Sequence, residues 1–282
     1  MGISAKNFAK LGYVFFQLFW IIIGIMIFFL ARHLVNILPD FLQCPSQSGD
    51  GTACLGPSAI IRMSFILACF HLVVFIVTLT RGTFASVFHD GCWMLKFIAV
   101  FVAFAAALYI PNSFFQGYME FSRYVSVIFL FAQALLMLIV AYKINEGLVG
   151  NYEKENPANG VGCSGIIIIA FTLLSTAGNI TWTVYQYIWY KGCPYNVAMI
   201  TVTLVVSVAF YVIVLFRTRE DASLLTSSIV VSYILYLQWS ALASNPDEEC
   251  NPFAESDVNT TLQIVIGLAF TLMSLGVISS ST

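Results

Sequence analysis

Charge is what this chain has least of. Only 9% of its 282 residues are Asp, Glu, Lys or Arg, where a soluble domain carries roughly a quarter, and that excludes an ordinary cytosolic enzyme. The 12 basic and 14 acidic residues leave a net charge of -2. No basic surplus exists to neutralise a phosphate backbone, so nucleic acid is excluded as a partner. Catalytic signatures are missing too: there is no G-x-x-x-x-G-K-[ST], no H-E-x-x-H and no G-x-S-x-G. The histidines His33, His71 and His89 lie in different segments, so no metal site is expected. No acid, base and nucleophile constellation is visible, which argues against an enzyme.

What the chain has is apolar length. Hydrophobic residues make up 60% and aromatic residues 15%, and the mean hydropathy is +0.89. Apolar runs bounded by polar or turn-forming residues fall near 11–31, 58–80, 92–110, 122–142, 164–189, 196–216, 223–243 and 261–279. A helix needs about 20 such residues to cross roughly 30 Å of hydrocarbon. The expected fold is therefore an all-α polytopic membrane protein with about eight transmembrane helices, forming one domain over 1–282. The first run is too long and too aromatic for a signal-peptide core and reads as a retained helix. Met1-Gly2 suggests myristoylation, but Lys6 stands where that motif wants Ser or Thr; an unmodified terminus is expected.

Eight crossings put Lys6, Lys10, Arg81, Lys143, Lys154, Arg217 and Arg219 on the side of both termini, and Arg32, Arg62, Arg123 and Lys191 on the other. Basic residues in short loops resist translocation, so the termini are expected on the cytosolic or matrix side. Cysteine placement agrees, because disulfides persist in oxidising compartments. Cys44, Cys54, Cys193 and Cys250 all fall on the translocated side. Cys44 with Cys54 is the natural local pair, and Cys193 with Cys250 would staple two helix hairpins, although four cysteines allow three connectivities. Asn259-Thr260-Thr261 is a glycosylation sequon on that same side.

Polar residues inside spans are costly and so informative. Lys96, about one turn into the third span, is read as snorkelling its ammonium to the headgroups. His71 is read as a hydrogen-bonded core imidazole. Glu120 and Arg123 have the spacing of a helix-surface ion pair. Ala99, Ala103 and Ala106 give the third span a small-residue face suited to close helix contact. Thr172, Ser175, Thr176, Asn179, Thr183 and Gln186 follow intervals of three and four, drawing one polar stripe down the fifth span. Such a stripe either hydrogen-bonds to neighbouring helices or lines a groove that admits water and lipid headgroups; hydroxyls and amides commonly glue membrane helices, which favours packing. Ser228, Ser232, Tyr236 and Ser240 make a second stripe in the seventh span.

The run from His89 through Asp90, Gly91, Cys92, Trp93, Met94, Leu95 and Lys96 to Phe97, followed by Tyr109-Ile110-Pro111-Asn112-Ser113-Phe114, resembles the serine incorporator family (SERINC, also TMS or TDE). Its counterparts there are H-N-G-F-W-F-F-K-F and F-I-P-[DE]-G-x-F. Asn145-Glu146, Leu224-Leu225-Thr226-Ser227-Ser228, Tyr236-Leu237-Gln238-Trp239-Ser240-Ala241, Asn245-Pro246, Cys250-Asn251-Pro252 and the sequon at Asn259 continue the likeness in order. It starts at what corresponds to the family's second helix and stops after its ninth, so the chain is expected to lack the first and last family helices.

The resemblance implies a SERINC-like bundle with lipid in grooves between helices, and a protein that binds or scrambles phospholipids. Scrambling needs a hydrophilic track and no catalytic residue. Thr172, Ser175, Asn179, Thr183 and Gln186 are the groove candidates from the spacing argument, and Lys96 joins them as the ionisable residue inside the third span. Bound phospholipid is expected in place of any cofactor. Membrane lipids and other membrane protein subunits are the expected partners, and the second reading is a non-catalytic structural subunit of a larger membrane complex.

Overall fold

The computed structural model describes residues 5–30, 55–80, 82–155, 162–216, 223–254 and 256–281. Among them every regular element is an α-helix: α1 (Ala5–Leu30), α2 (Leu55–Leu79), α3 (Thr83–Asp90), α4 (Trp93–Ala107), α5 (Asn112–Glu155), α6 (Cys163–Trp189), α7 (Pro194–Leu215), α8 (Leu224–Ala243) and α9 (Asp257–Ser281). Helices follow from the solvent, because hydrocarbon offers backbone N–H and C=O groups no partner outside their own segment. Six helices are long and apolar enough to cross a membrane, and the bent pair of α3 and α4 makes a seventh candidate. The run expected at 261–279 lies in α9, whose described apolar part is Thr261–Gly276. The chain is an all-α polytopic membrane protein. It comprises two compact units, residues 1–128 and 129–282.

In the first unit α2 packs against α1, α3 and α4. Its core is aromatic: Phe16 and Trp20 of α1 meet Met63 of α2 and Val100 of α4, with Phe19, Phe70 and Phe97 around them. Lipid tails are as apolar as these side chains, so such helices are held by close packing and not by escape from water. Edge-on ring pairs suit that task, each contributing about 0.5–1.5 kcal/mol beyond burial; Phe19 and Phe97 stand at 5.1 Å and 89°. Gly12 lets α1 approach α4, since a Cβ there would collide with the Trp93 ring.

The third expected span is not one straight rod. Cys92 adopts a left-handed conformation at φ 55°, the helical ladder breaks, and α3 meets α4 at 78°. At 15 residues, α4 is about 22 Å long at 1.5 Å per residue. It ends before Pro111, whose ring disfavours helical backbone at the residue preceding it, and α5 begins at once. The fourth expected span, 122–142, lies inside this helix of 44 residues, which runs on past Lys143 and Glu146 to Glu155.

In the second unit α8 is central, with α6 and α7 packed on it. Tyr190, Ile200, Trp239, Leu242 and Ala243 form one buried cluster; Met137 and Val140 of α5 pack on Tyr233 of α8 in another. Pro194 opens α7, where its missing N–H is not needed. Cys193 and Cys250 form a disulfide with Cα atoms 5.1 Å apart, as one of the expected pairings has it. Asn251, wholly buried, closes the end of α8 by donating to the carbonyls of Ala243 at 2.9 Å and Asn245 at 2.8 Å.

Several expectations change. Arg62 is not a loop charge: it is buried inside α2. Lys96 does not snorkel; its side chain is 1% exposed. His71 is hydrogen-bonded, to the Leu67 carbonyl at 2.7 Å, but it is exposed and not in the core. Ala99 and Ala106 are exposed too, because α4 turns Lys96, Val100 and Ala107 inward instead. Glu120 and Arg123 do pair, at 3.7 Å on an exposed face. Asn259 falls in the first turn of α9. Cys44, Cys54, Arg32, His33, Arg81, Arg217 and Arg219 lie outside the described residues.

Candidate functional site

A half-open groove of about 360 Å³ lies among α5, α8 and α9 of the second unit, lined by Leu130, Gln133, Tyr236, Leu237, Ser240, Ala241, Ser244, Gly267 and Thr271. The spacing explains how helices build it. Tyr236, Ser240 and Ser244 recur every fourth residue, Gly267 and Thr271 are four apart, and Leu130 and Gln133 are three apart, so each helix contributes one face. The polar lining is entirely uncharged. Ser244 donates its hydroxyl to the Ala241 carbonyl at 2.9 Å and Thr271 to Gly267 at 2.9 Å, which leaves oxygen lone pairs as acceptors. Tyr236 donates to the Gln263 carbonyl at 3.3 Å. Gly267 makes room for that phenol, because a Cβ at this position would stand 2.5 Å from the Tyr236 oxygen. Gln133 adds a buried amide with both donors and an acceptor. The groove therefore offers both kinds of hydrogen-bond partner amid apolar helices.

The stripe on α6 lies elsewhere, and none of its residues lines this groove. Asn179 donates to the Ser228 carbonyl of α8 at 2.9 Å and the Tyr211 hydroxyl of α7 at 3.2 Å, and it accepts from Ser232 at 2.8 Å. Gln186 donates to the Leu235 carbonyl at 3.2 Å. Ser175 and Ser232 hydroxyls meet at 3.4 Å. Thr172 and Thr183 bond back to their own helix, at Ile168 and Asn179. Asn179, Thr183 and Gln186 are buried, so this part of the stripe serves helix packing. Of the α8 stripe, Ser228 and Ser232 belong to that contact, while Tyr236 and Ser240 face the groove. Gln133, a lone polar position in its apolar run, and Thr271, whose helix shows no stripe, were not legible as site residues; Ser244 was missed although it continues the four-residue spacing of Tyr236 and Ser240 just past the end of α8.

Lys96 sits in a box in the first unit. Its ammonium donates to the His89 carbonyl at 2.8 Å and the Tyr13 hydroxyl at 3.2 Å, and lies 4.0 Å from the Trp93 ring centroid and 4.7 Å from that of Tyr13. A cation at the carboxyl end of α3 is favoured by the helix dipole and by the ring faces. Arg62 does similar work at the end of α4: its guanidinium donates to the carbonyls of Ala107 and Ile110 and to the Asn112 side chain, 4.3 Å over the Phe115 ring. The sequence signal for this role is an arginine about one turn into the apolar run at 58–80.

A family model described as Serine incorporator (Serinc) matches residues 2–282. The chain belongs to the serine incorporator family. Among its relatives, a probable serine incorporator of Dictyostelium discoideum is 28% identical over 97% of this chain and 66% of its own length. The membrane protein TMS1 of Saccharomyces cerevisiae is 29% identical over 82% of this chain and 51% of its own, and serine incorporator 3 of Mus musculus 28% over 72% and 44%. The chain thus spans between 44% and 66% of these relatives' own lengths. The runs that carried the resemblance fall at structural joints of the chain: His89 to Phe97 forms the break between α3 and α4, Tyr109 to Phe114 the joint held by Arg62, Tyr236 to Ala241 the groove wall, and Cys250-Asn251-Pro252 the closure of α8.

Proposed function

We infer that this member of the family binds phospholipid along the groove among α5, α8 and α9 and lets headgroups pass between leaflets there. The observation carrying the reading is the groove itself: a half-open cavity in a membrane-spanning unit, lined by Gln133, Tyr236, Ser240, Ser244 and Thr271. A headgroup crossing hydrocarbon loses its hydration, and each polar group without a partner there costs several kcal/mol. Amide donors suit phosphate oxygens, and hydroxyl oxygens suit headgroup ammonium or hydroxyl groups. No bond is made or broken, so the passage needs no acid, base or nucleophile and runs down existing gradients.

The test is reconstitution of the chain in liposomes holding fluorescent phospholipid in both leaflets, with a membrane-impermeant reductant added outside. Bleaching that proceeds past the outer leaflet, at a rate rising with protein content, is the expected result. Bleaching that stops at the outer leaflet as in empty liposomes removes the scrambling reading. Recovery of the chain with no co-purifying phospholipid removes binding as well.

A further inference from the structure

We propose that α3 is an in-plane helix that seats Phe84 and Val87 in the headgroup–acyl boundary of the bilayer, holding the first unit at that surface as well as through it. Geometry is the first ground. α3 meets α4 at 78°, so if α4 crosses the membrane, α3 runs nearly parallel to its plane. The second ground is how its faces divide. At 100° per residue, Phe84, Val87 and Phe88 share one flank, Ser86 and Asp90 the next, and Ala85 and His89 the third. The third flank is the one packed inward: Ala85 is buried, and the His89 ring lies 5.1 Å from that of Tyr13. The polar flank is exposed. The apolar flank is exposed as well, Phe84 at 72% and Val87 at 58%, with Phe84 and Phe88 stacked at 6.1 Å. This division into apolar, polar and anchored sides is that of an interfacial helix.

Lipid is the occupant because α4, joined to α3 through a two-residue break, itself turns Met94, Leu95, Ile98 and Val102 outward, all more than half exposed, and because the flank carries no charge or hydrogen-bonding side chain that a specific protein contact would use. The Lys96 bond to the His89 carbonyl ties the helix to α4 and fixes the angle at which that flank is presented.

The test uses the whole chain in phospholipid vesicles. Nitroxide labels are placed through Phe84→Cys and, separately, Ser86→Cys in a background with Cys44, Cys54, Cys69, Cys92 and Cys163 changed to Ser, and their collisions with oxygen and with a water-soluble nickel chelate are compared. The proposal requires a ratio of oxygen to nickel collisions severalfold higher at 84 than at 86. Equal nickel access at both positions overturns it, by placing α3 in water. A label at 84 shielded from both reagents also overturns it, in favour of a second copy or another protein covering the flank. Hydroxyl-radical footprinting of the unsubstituted chain in the same vesicles gives a reading free of any variant: Phe84 protected while His89 oxidises is expected, since the His89 side chain, although in contact with Tyr13, is still 42% exposed beside Asp90, and oxidation of both rules the proposal out.

Discussion

The Arg62 guanidinium donates to the Asn112 carboxamide oxygen at 2.6 Å, across 50 positions of sequence. The same side chain reaches the Ala107 and Ile110 carbonyls, so one cation inside α2 satisfies the end of α4 and the start of α5. Arg62→Ala removes the guanidinium donors from this joint at a cost of about 1–3 kcal/mol for each acceptor that stays dry and unpaired, although the Ala107 carbonyl keeps its bond from the Ile110 N–H at 3.3 Å. Arg62→Lys should rescue little, because one ammonium cannot reproduce the planar fork. Thermal unfolding of the purified chain in detergent checks this, and an unchanged midpoint in Arg62→Ala contradicts it.

In the groove, Gln133→Leu and Thr271→Val each remove hydrogen-bonding capacity while keeping shape. At roughly 1 kcal/mol per bond to a passing headgroup, each should slow lipid transfer by about fivefold and leave the unfolding midpoint near that of the parent. Gly267→Ala should act through shape, by driving the Tyr236 phenol from its place. Rates equal to the parent in all three would move the lipid path elsewhere.

Asn179→Leu should act on stability and not on transfer. It removes the bonds to Ser228, Tyr211 and Ser232, and polar contacts between membrane helices are worth about 0.6–2 kcal/mol each. A variant as stable as the parent that transfers no lipid would return the α6 stripe to the groove role.

The disulfide between Cys193 and Cys250 closes a segment of 57 residues, for which the chain-entropy model gives about 4 kcal/mol. Reduction should lower the unfolding midpoint. Peptide mapping without reductant should recover the two cysteines in one cross-linked species, and their recovery as separate thiols would refute the pairing.

Burial pushes the Tyr190 phenol upward from its ordinary value, with Trp239 opposing in part. Since the folded value is the raised one, the associated stability is complete below the ordinary tyrosine value of about 10 and is lost as pH rises through the folded value. Melts across the alkaline range should fall more steeply for the parent than for Tyr190→Phe; parallel curves would show that Tyr190 does not contribute.

Composition and run length alone determined that this chain is a helical membrane protein, because the cost of an unpaired backbone in hydrocarbon leaves few alternatives. The ordered motifs determined its family, and position relative to the spans brought Cys193 and Cys250 to the same side. Periodicity found the α6 stripe and two polar residues of the groove wall, Tyr236 and Ser240, since both repeat along one helix. Tertiary structure decided the rest. Whether a polar face meets another helix or an open groove depends on what stands opposite, and that is set by side chains more than fifty residues away, as Asn179 with Ser232 shows. Arg62 and Lys96 read as surface charges because sequence gives a long cationic side chain its depth but not its direction. Only the assembled bundle supplies the carbonyls and ring faces that make burial the lower-energy place for them.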